Sequence, residues 1–259
     1  MPALKIAIEL SSLDLPLREA LKTAAGLGVE GVEIDARRDL PGPRVAQTAL
    51  RDLRRRMEDY RLRVSTVRFR TRRSYYASAD LDARIEATKQ ALQLTHALGA
   101  TVLSNQIGRV PSDAKSPEWN VLVDVLNDLG DFGQRVGARL AAETGSESGP
   151  ELARLLATLH EGALGVDFNP GNLLLGGHDP LEAIAQLGPS IVHVRLADAA
   201  METVSQGRHV PLGQGMMDTP SILGALDEYG YRGWFTVGSL SSSNAQGEIT
   251  AAVEYLRGL

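Results

Sequence analysis

Short runs rich in Val, Ile and Leu alternate along this chain with longer segments whose apolar residues recur at helical spacing, the pattern of repeated βα units. Eight strand candidates can be read: KIAIEL from Lys5, GVEID from Gly31, LRVSTVRF from Leu62, ATVLSNQ from Ala100, ARLAAE from Ala138, LGVDF from Leu164, SIVHVRL from Ser190 and GWFTVG from Gly233. Helix starts are expected at Asp14 with Pro16, at Asp80, at Ser116 with Pro117, at Pro150 with Glu151, at Asp179 with Pro180 and at Asp218 with Pro220. Short polar side chains there can cap free amides, and proline suits a first helical turn. Gly28, Gly99, Gly137, Gly188 and Gly230 stand near the far ends, where a residue without Cβ can stop a helix in the left-handed conformation. Eight units in 259 residues predict one closed (β/α)8 TIM barrel, α/β in class, as a single domain over 1–259. No GxGxxG follows the first strand, which weighs against an open dinucleotide-binding sheet. The longest irregular stretch, 198–217, follows the seventh strand and is expected to be a loop over the barrel mouth.

In such a barrel alternate strand residues face the helices and the interior, and the inward residues at the strand C-termini form the site. With Val192, Val194 and Leu196 outward, His193 and Arg195 point in; with Val166 and Phe168 outward, Asp167 points in; Glu143 ends the fifth strand on the inner side. The first two strands present Glu9, Glu33 and Asp35 inward in the same way. Carboxylates gathered in one cavity are costly to desolvate unless something compensates them, and a divalent cation is the simplest compensation. Glu143, Asp167 and His193 therefore read as a candidate metal set for Mn2+, Co2+, Mg2+ or Zn2+.

Composition narrows the classes. A net charge of -5 with 23% charged residues lacks the basic excess that duplex binding demands, so no nucleic-acid partner is expected. With no cysteine, disulfides and thiolate metal sites are excluded, and any metal must take oxygen and imidazole ligands. No run of 18 apolar residues and no leader pattern stand in the sequence, so a cytoplasmic protein without membrane spans is expected. Further candidates for substrate contact are Arg70 in the basic run Arg68, Arg70, Arg72 and Arg73, then Tyr75, Tyr76, Asn105 and Gln106. Guanidinium groups grip carboxylate or phosphate bidentately. His96 and His160 sit in helices and read as structural, and the mixed charges around Arg51 to Arg56 read as an exposed helix face.

Taken together, GVEID, AAETG, GVDFNPGNLL followed by GHDP, IVHVRLAD, VPLGQG with MD after it, and YGYRGWFTV resemble the sugar phosphate isomerase/epimerase superfamily, the xylose isomerase-like barrels, across nearly the whole chain. The resemblance implies metal-assisted isomerase, epimerase or related lyase chemistry on a keto sugar, cyclitol or similar polyol, by proton abstraction next to a carbonyl. It places three of the family's four metal ligands on Glu143, Asp167 and His193, with Glu143 also the catalytic base. The fourth, a Glu on the eighth strand, is replaced by Gly238. That departure raises an alternative, a catalytically altered barrel that binds a sugar-like ligand. The resemblance further implies substrate contacts for Asn172, Arg195, Arg208 and Asp198, with His209 beside Arg208, and association into homo-oligomers. The superfamily's endonuclease branch is excluded by its many His ligands, since this chain has 5 His.

Overall fold

In a computed structural model, which describes residues 3–40, 43–145, 147–203, 206–241 and 243–259, eight parallel strands close into a barrel. They are β1 (Lys5–Glu9), β2 (Gly31–Asp35), β3 (Arg63–Arg68), β4 (Val102–Asn105), β5 (Arg139–Glu143), β6 (Gly165–Phe168), β7 (Ile191–Arg195) and, after a two-stranded insertion, β10 (Trp234–Val237). Closure comes from β1 pairing with both β2 and β10, with Ile8 opposite Val32 on one side and Val237 on the other. Each predicted strand is found, one or two residues shorter at its ends than the apolar run, except β2, which coincides with it.

The helices α1 (Leu17–Gly26), α2 (Gln47–Asp59), α3 (Leu81–Ala97), α4 (Pro117–Val136), α5 (Gly149–Leu156), α7 (Pro180–Leu187), α8 (Thr219–Glu228) and α9 (Ala245–Arg257) surround the barrel, and a short extra helix, α6 (Pro170–Leu175), follows β6. The main apolar core lies between the helices and the outer faces of the strands, where Ile8, Val32, Ile34, Val67, Leu103, Leu140, Val166, Phe168 and Val194 are all fully buried. None of the described helices is long and apolar enough to cross a membrane.

Most helix boundaries follow the local chemistry expected. Ser116, Asp179 and Asp218 each accept a backbone amide of the first turn, and α5 carries a full capping box between Ser148 and Glu151. Gly28, Gly99, Gly137 and Gly230 have positive φ as predicted; at the end of α4 Gly137 takes φ 80°, where an L side chain would be strained. Three expectations are corrected. Asp14 caps nothing, because it ends a 3-10 turn (Leu10–Leu13) in the left-handed region, with Pro16 between it and α1. Asp80 precedes α3 with a left-handed backbone and makes no side-chain cap. Gly188 is right-handed, because the chain passes from α7 into a 3-10 turn (Gly188–Ser190) without reversing.

The stretch 198–217 is more ordered than a loop. It begins with an antiparallel hairpin of β8 (Asp198–Met201) and β9 (Gly207–Val210), whose intervening positions 204 and 205 lie outside the described residues.

Candidate active site

Inward polar side chains fill the C-terminal end of the barrel as two connected systems. The deeper one is a hydrogen-bonded belt. Ser104 of β4 donates to Asp167 of β6, His193 of β7 meets Asp167 Oδ1 through Nδ1 at 2.7 Å, and His193 Nε2 meets Thr236 Oγ1 of β10 at 2.9 Å. All four residues are buried. Burial by itself would raise the Asp167 carboxyl, but the facing His193 and Arg195 outweigh it and hold the group well below the usual carboxylate range. An ionised carboxylate only accepts, so His193 Nδ1 carries a proton and both imidazole nitrogens are committed to protein partners.

The second system surrounds Arg195, the inward residue one step closer to the mouth on β7. Its guanidinium lies 2.5 Å from Glu33 Oε2, 3.5 Å from Glu9 Oε2, 3.6 Å from Glu143 Oε1 and 3.7 Å from Asp167 Oδ2. Four strands thus deliver a carboxylate each to one buried cation. Burial would lower the Arg195 pKa, but these acids raise it well above its ordinary value, so the charge is permanent. Burial likewise pushes Glu33 up, with Arg195 opposing, whereas Arg195 and Arg68 together overcome the burial of Glu9 and bring it below its ordinary value. Arg68 bridges the two carboxylates nearest the mouth, 2.7 Å from Glu9 and 3.8 Å from Glu143.

Glu143 has the richest surroundings. Arg70 reaches it at 3.3 Å, Gln106 at 3.3 Å, Asn169 at 3.1 Å and Asn172 at 3.4 Å, all donating. Asn172 Oδ1 also accepts from His209 Nε2, 3.1 Å away on β9, so the hairpin is tied to the carboxylate through one amide. Arg70 and Gln106 are exposed while Glu143 is buried, which places the carboxylate at the floor of the mouth with solvent-facing donors above it.

The structure therefore brings together Glu143, Asp167, His193, Arg195, Arg70 and Asn172 from the sequence-derived set, but not as a chelate. Among the described residues no group of three His, Cys, Asp or Glu side chains is placed to hold a metal ion. His193 turns both nitrogens into the belt, and a guanidinium sits between Glu143 and Asp167. The donor set as it stands does not fit a divalent cation.

Other candidates sit elsewhere. Asn105 is buried and donates to Tyr75 Oη at 2.7 Å while accepting from Thr71, so it holds the loop after β3 and does not reach the mouth. Tyr75 is fully buried against Thr88, and burial pushes its phenol up. Arg208 pairs with Glu202 on the outside of the hairpin, with 64% of its side chain exposed. Arg73 likewise pairs with exposed Asp80. Asp35 accepts the amides of Arg37 and Arg38 and shapes a turn.

Asp198 is the clearest reassignment. Its carboxylate accepts from the amides of Ala199, Gly213, Gly215 and Met217 at 2.8 to 3.1 Å, so it gathers the loop after the hairpin and has no capacity left for substrate. A Cβ at Gly215 would lie 2.2 Å from Asp198 Oδ1, which explains the glycine. Asp198→Asn sets an amide NH2 against backbone N–H groups and is expected to cost about 1–3 kcal/mol. Limited proteolysis should then cut between residues 202 and 217 at least tenfold faster than in the wild type; an unchanged cleavage rate would refute the pinning role.

Asp39, in the turn after β2, accepts from the amide of Asp35 at 2.7 Å, yet burial raises its pKa from 3.8 to about 7, with Asp35, Glu33 and Glu9 adding to the rise. The folded protein thus holds a proton that the unfolded chain releases in this window, so stability falls as pH rises from about 4 to 7. Asp39→Asn keeps the acceptor and removes the charge. After screening at this partly exposed site, it is expected to be more stable than wild type by roughly 1–2 kcal/mol at pH 8 and no different at pH 4. Urea midpoints at both pH values check this.

Asn169, Gln106 and Arg68 emerge as parts of the site that the sequence reading underused. Asn169 is the next residue of Asp167's parity, one alternation closer to the mouth, so the period-two rule that selected Asp167 already pointed to it.

Comparison with known proteins places this arrangement. The family model described as Xylose isomerase-like TIM barrel matches residues 21–259. The chain belongs to this family. Among solved structures, a xylose isomerase domain protein from Planctomyces limnophilus superposes with a TM-score of 0.88 at 23% identity, covering 99% of this chain and 97% of that one. An inosose dehydratase of Geobacillus thermodenitrificans is 25% identical over 195 residues, 63% of this chain and 65% of the dehydratase. The matched region thus spans a little under two thirds of that relative. The rhizopine catabolism protein MocC of Rhizobium meliloti is 27% identical over 269 aligned positions, 92% of this chain and 79% of MocC. This family membership accounts for the order of the motifs around the barrel, whereas the arginine at the centre of the carboxylates is read from this chain alone.

Proposed function

We propose that this barrel is an enzyme that removes a proton next to the carbonyl of a keto sugar, a cyclitol ketone or a similar polyol, with Glu143 as the base. The observation that carries the reading is the position of Glu143: a buried carboxylate at the floor of the mouth, ringed by Arg70, Gln106, Asn169 and Asn172, with Arg68 and Arg195 beside it. Amide and guanidinium donors of this kind suit a substrate rich in hydroxyl groups, and the arginines can take up the negative charge that develops on the carbonyl oxygen as the C–H bond breaks. The similarity to an inosose dehydratase supports a cyclitol ketone as the first substrate to try.

Three outcomes follow from one enolate. Protonation of the opposite face by a second acid, with Glu143 giving its proton to solvent, epimerises the carbon; moving the proton to the former carbonyl carbon, while the α-hydroxyl proton passes to the former carbonyl oxygen, isomerises the carbonyl; delivering it to a β-hydroxyl expels water. Each balances without a redox partner. Gly238 alone would favour a barrel that only binds its ligand, but Glu9 Oε2 would lie 2.7 Å from a Cβ at that position, so a carboxylate is still present at that edge of the mouth.

Incubating the protein in D2O with inososes and ketohexoses, and following C–H exchange and new olefinic signals by NMR, tests the reading. Exchange at a single carbon next to the carbonyl is expected with one substrate class. Saturable binding without exchange or product would establish the ligand-binding barrel instead.

A further inference from the structure

We infer that Arg195, backed by Arg68, occupies the place that a divalent cation holds in the metal-dependent barrels this chain resembles, so that the site works with a built-in cation and no bound metal. The inference concerns the site described above and rests on its being a reaction centre, while its test reads metal binding and not turnover.

Three independent features converge on it. First, one guanidinium lies within 2.5 to 3.7 Å of carboxylates from β1, β2, β5 and β6, all of which a metal would otherwise be needed to compensate. Second, the missing carboxylate of the last barrel strand is supplied from next door. β1 pairs directly with β10, and the space beside Gly238 is taken by Glu9 Oε2, which Arg195 contacts at 3.5 Å while Arg68 holds Glu9 Oε1 at 2.7 Å. A Cβ at 238 would lie 2.7 Å from Glu9 Oε2, so a side chain there would displace the Glu9 carboxylate from its present position beside Arg195. Third, the imidazole that a metal would need is fully engaged by Asp167 and Thr236.

The buried Nε atoms of Arg195 and Arg68 have no hydrogen-bond partner. Buried donors are rarely left unmade. Arg195 Nε faces Glu143 Oε1 at 3.6 Å, so a carbonyl oxygen brought beside these guanidinium groups gains a donor as Glu143 takes a proton from the adjacent carbon. A guanidinium stabilises that oxygen through hydrogen bonds and charge, and its planar fork fixes direction as well as sign. The ligand class is therefore a carbonyl compound whose oxygen is stabilised by this guanidinium pair, with its C–H bond toward Glu143.

The experiment is a calorimetric and thermal-shift titration of metal-stripped wild-type protein with Mn2+, Co2+, Mg2+ and Zn2+, beside Arg195→Ala and Arg195→His. Wild type is expected to bind none of these more tightly than about millimolar, with no rise in Tm. Removing the guanidinium leaves the carboxylates facing one another, so at least one of the two variants is expected to bind Mn2+ or Co2+ at least tenfold more tightly than wild type and to be stabilised by it. The imidazole variant covers the case in which the alanine variant fails to fold. One equivalent of tightly held ion in wild type, lost in Glu143→Gln, would overturn the inference, as would two folded variants with no gain in metal affinity. Failure of every sugar in the exchange assay would leave these results standing, and a bound metal would leave the proton-transfer reading intact.

Discussion

Replacing Arg195 with methionine is expected to destabilise the barrel by about 3–5 kcal/mol, the cost of stranding a buried charge after its partner is removed. The size follows from the partners. Glu33 is fully buried, its Oε2 bonds to Arg195 at 2.5 Å, and its Oε1 already lacks a partner. With the guanidinium gone, Glu33 must either stay ionised in an apolar wall or take up a proton, and Glu9, Glu143 and Asp167 lose a shared counter-charge. Arg195→Lys should recover part of the loss by restoring charge without the fork. The double variant Arg195→Met, Glu33→Leu should be more stable than Arg195→Met alone, because it removes the stranded acid with the base. Urea midpoints for the four proteins measure this. A single-variant cost below about 1 kcal/mol would mean that the cluster is hydrated or already neutral, and the charge account would be wrong.

Glu143→Gln is expected to lower turnover by about 10²–10⁴-fold, the usual worth of a positioned base, while the fold is retained. Glutamine keeps the shape of the side chain, and its carbonyl oxygen can still accept from Asn169 or Arg70, whose donors now converge on Glu143. What is lost is the ability to accept a proton from carbon. The Tm is expected to stay within a few degrees of wild type, and KM to change far less than kcat. Steady-state kinetics on whichever substrate shows C–H exchange separates the two. A variant within tenfold of wild-type kcat would remove Glu143 from the base role and leave Glu9, the other carboxylate contacting Arg68, as the remaining candidate.

The acid limb of stability follows from the same groups. Glu9 and Asp167 are held below their ordinary values, so their contribution is present at neutral pH and is lost as pH falls through the lowered values, whereas Asp39 acts in the opposite direction near neutrality.

Much of the architecture follows from local rules applied to the chain. The alternation of short β-branched runs with amphipathic helices, the Ser and Asp caps and the glycine stops are written in adjacent residues, and their repetition leaves few arrangements other than a closed parallel barrel. Period two along each strand likewise determined that Glu9, Glu33, Glu143, Asp167, His193 and Arg195 point inward. It could not determine how these groups pair. That depends on the stagger of neighbouring strands and on side-chain reach, both products of closure: Asp167 lies level with His193, while Arg195, two residues on and with a longer side chain, swings across to Glu33 on the far side of the barrel. For the same reason Asp198 and Arg208, close in sequence to the site, end in the hairpin, where the backbone of the loop after it claims Asp198 and an exposed ion pair with Glu202 claims Arg208. Which side of the sheet a residue faces is a property of the sequence; which charge meets which, and whether a guanidinium or a metal lies between two carboxylates, is decided only when distant strands are brought within a few ångströms of each other.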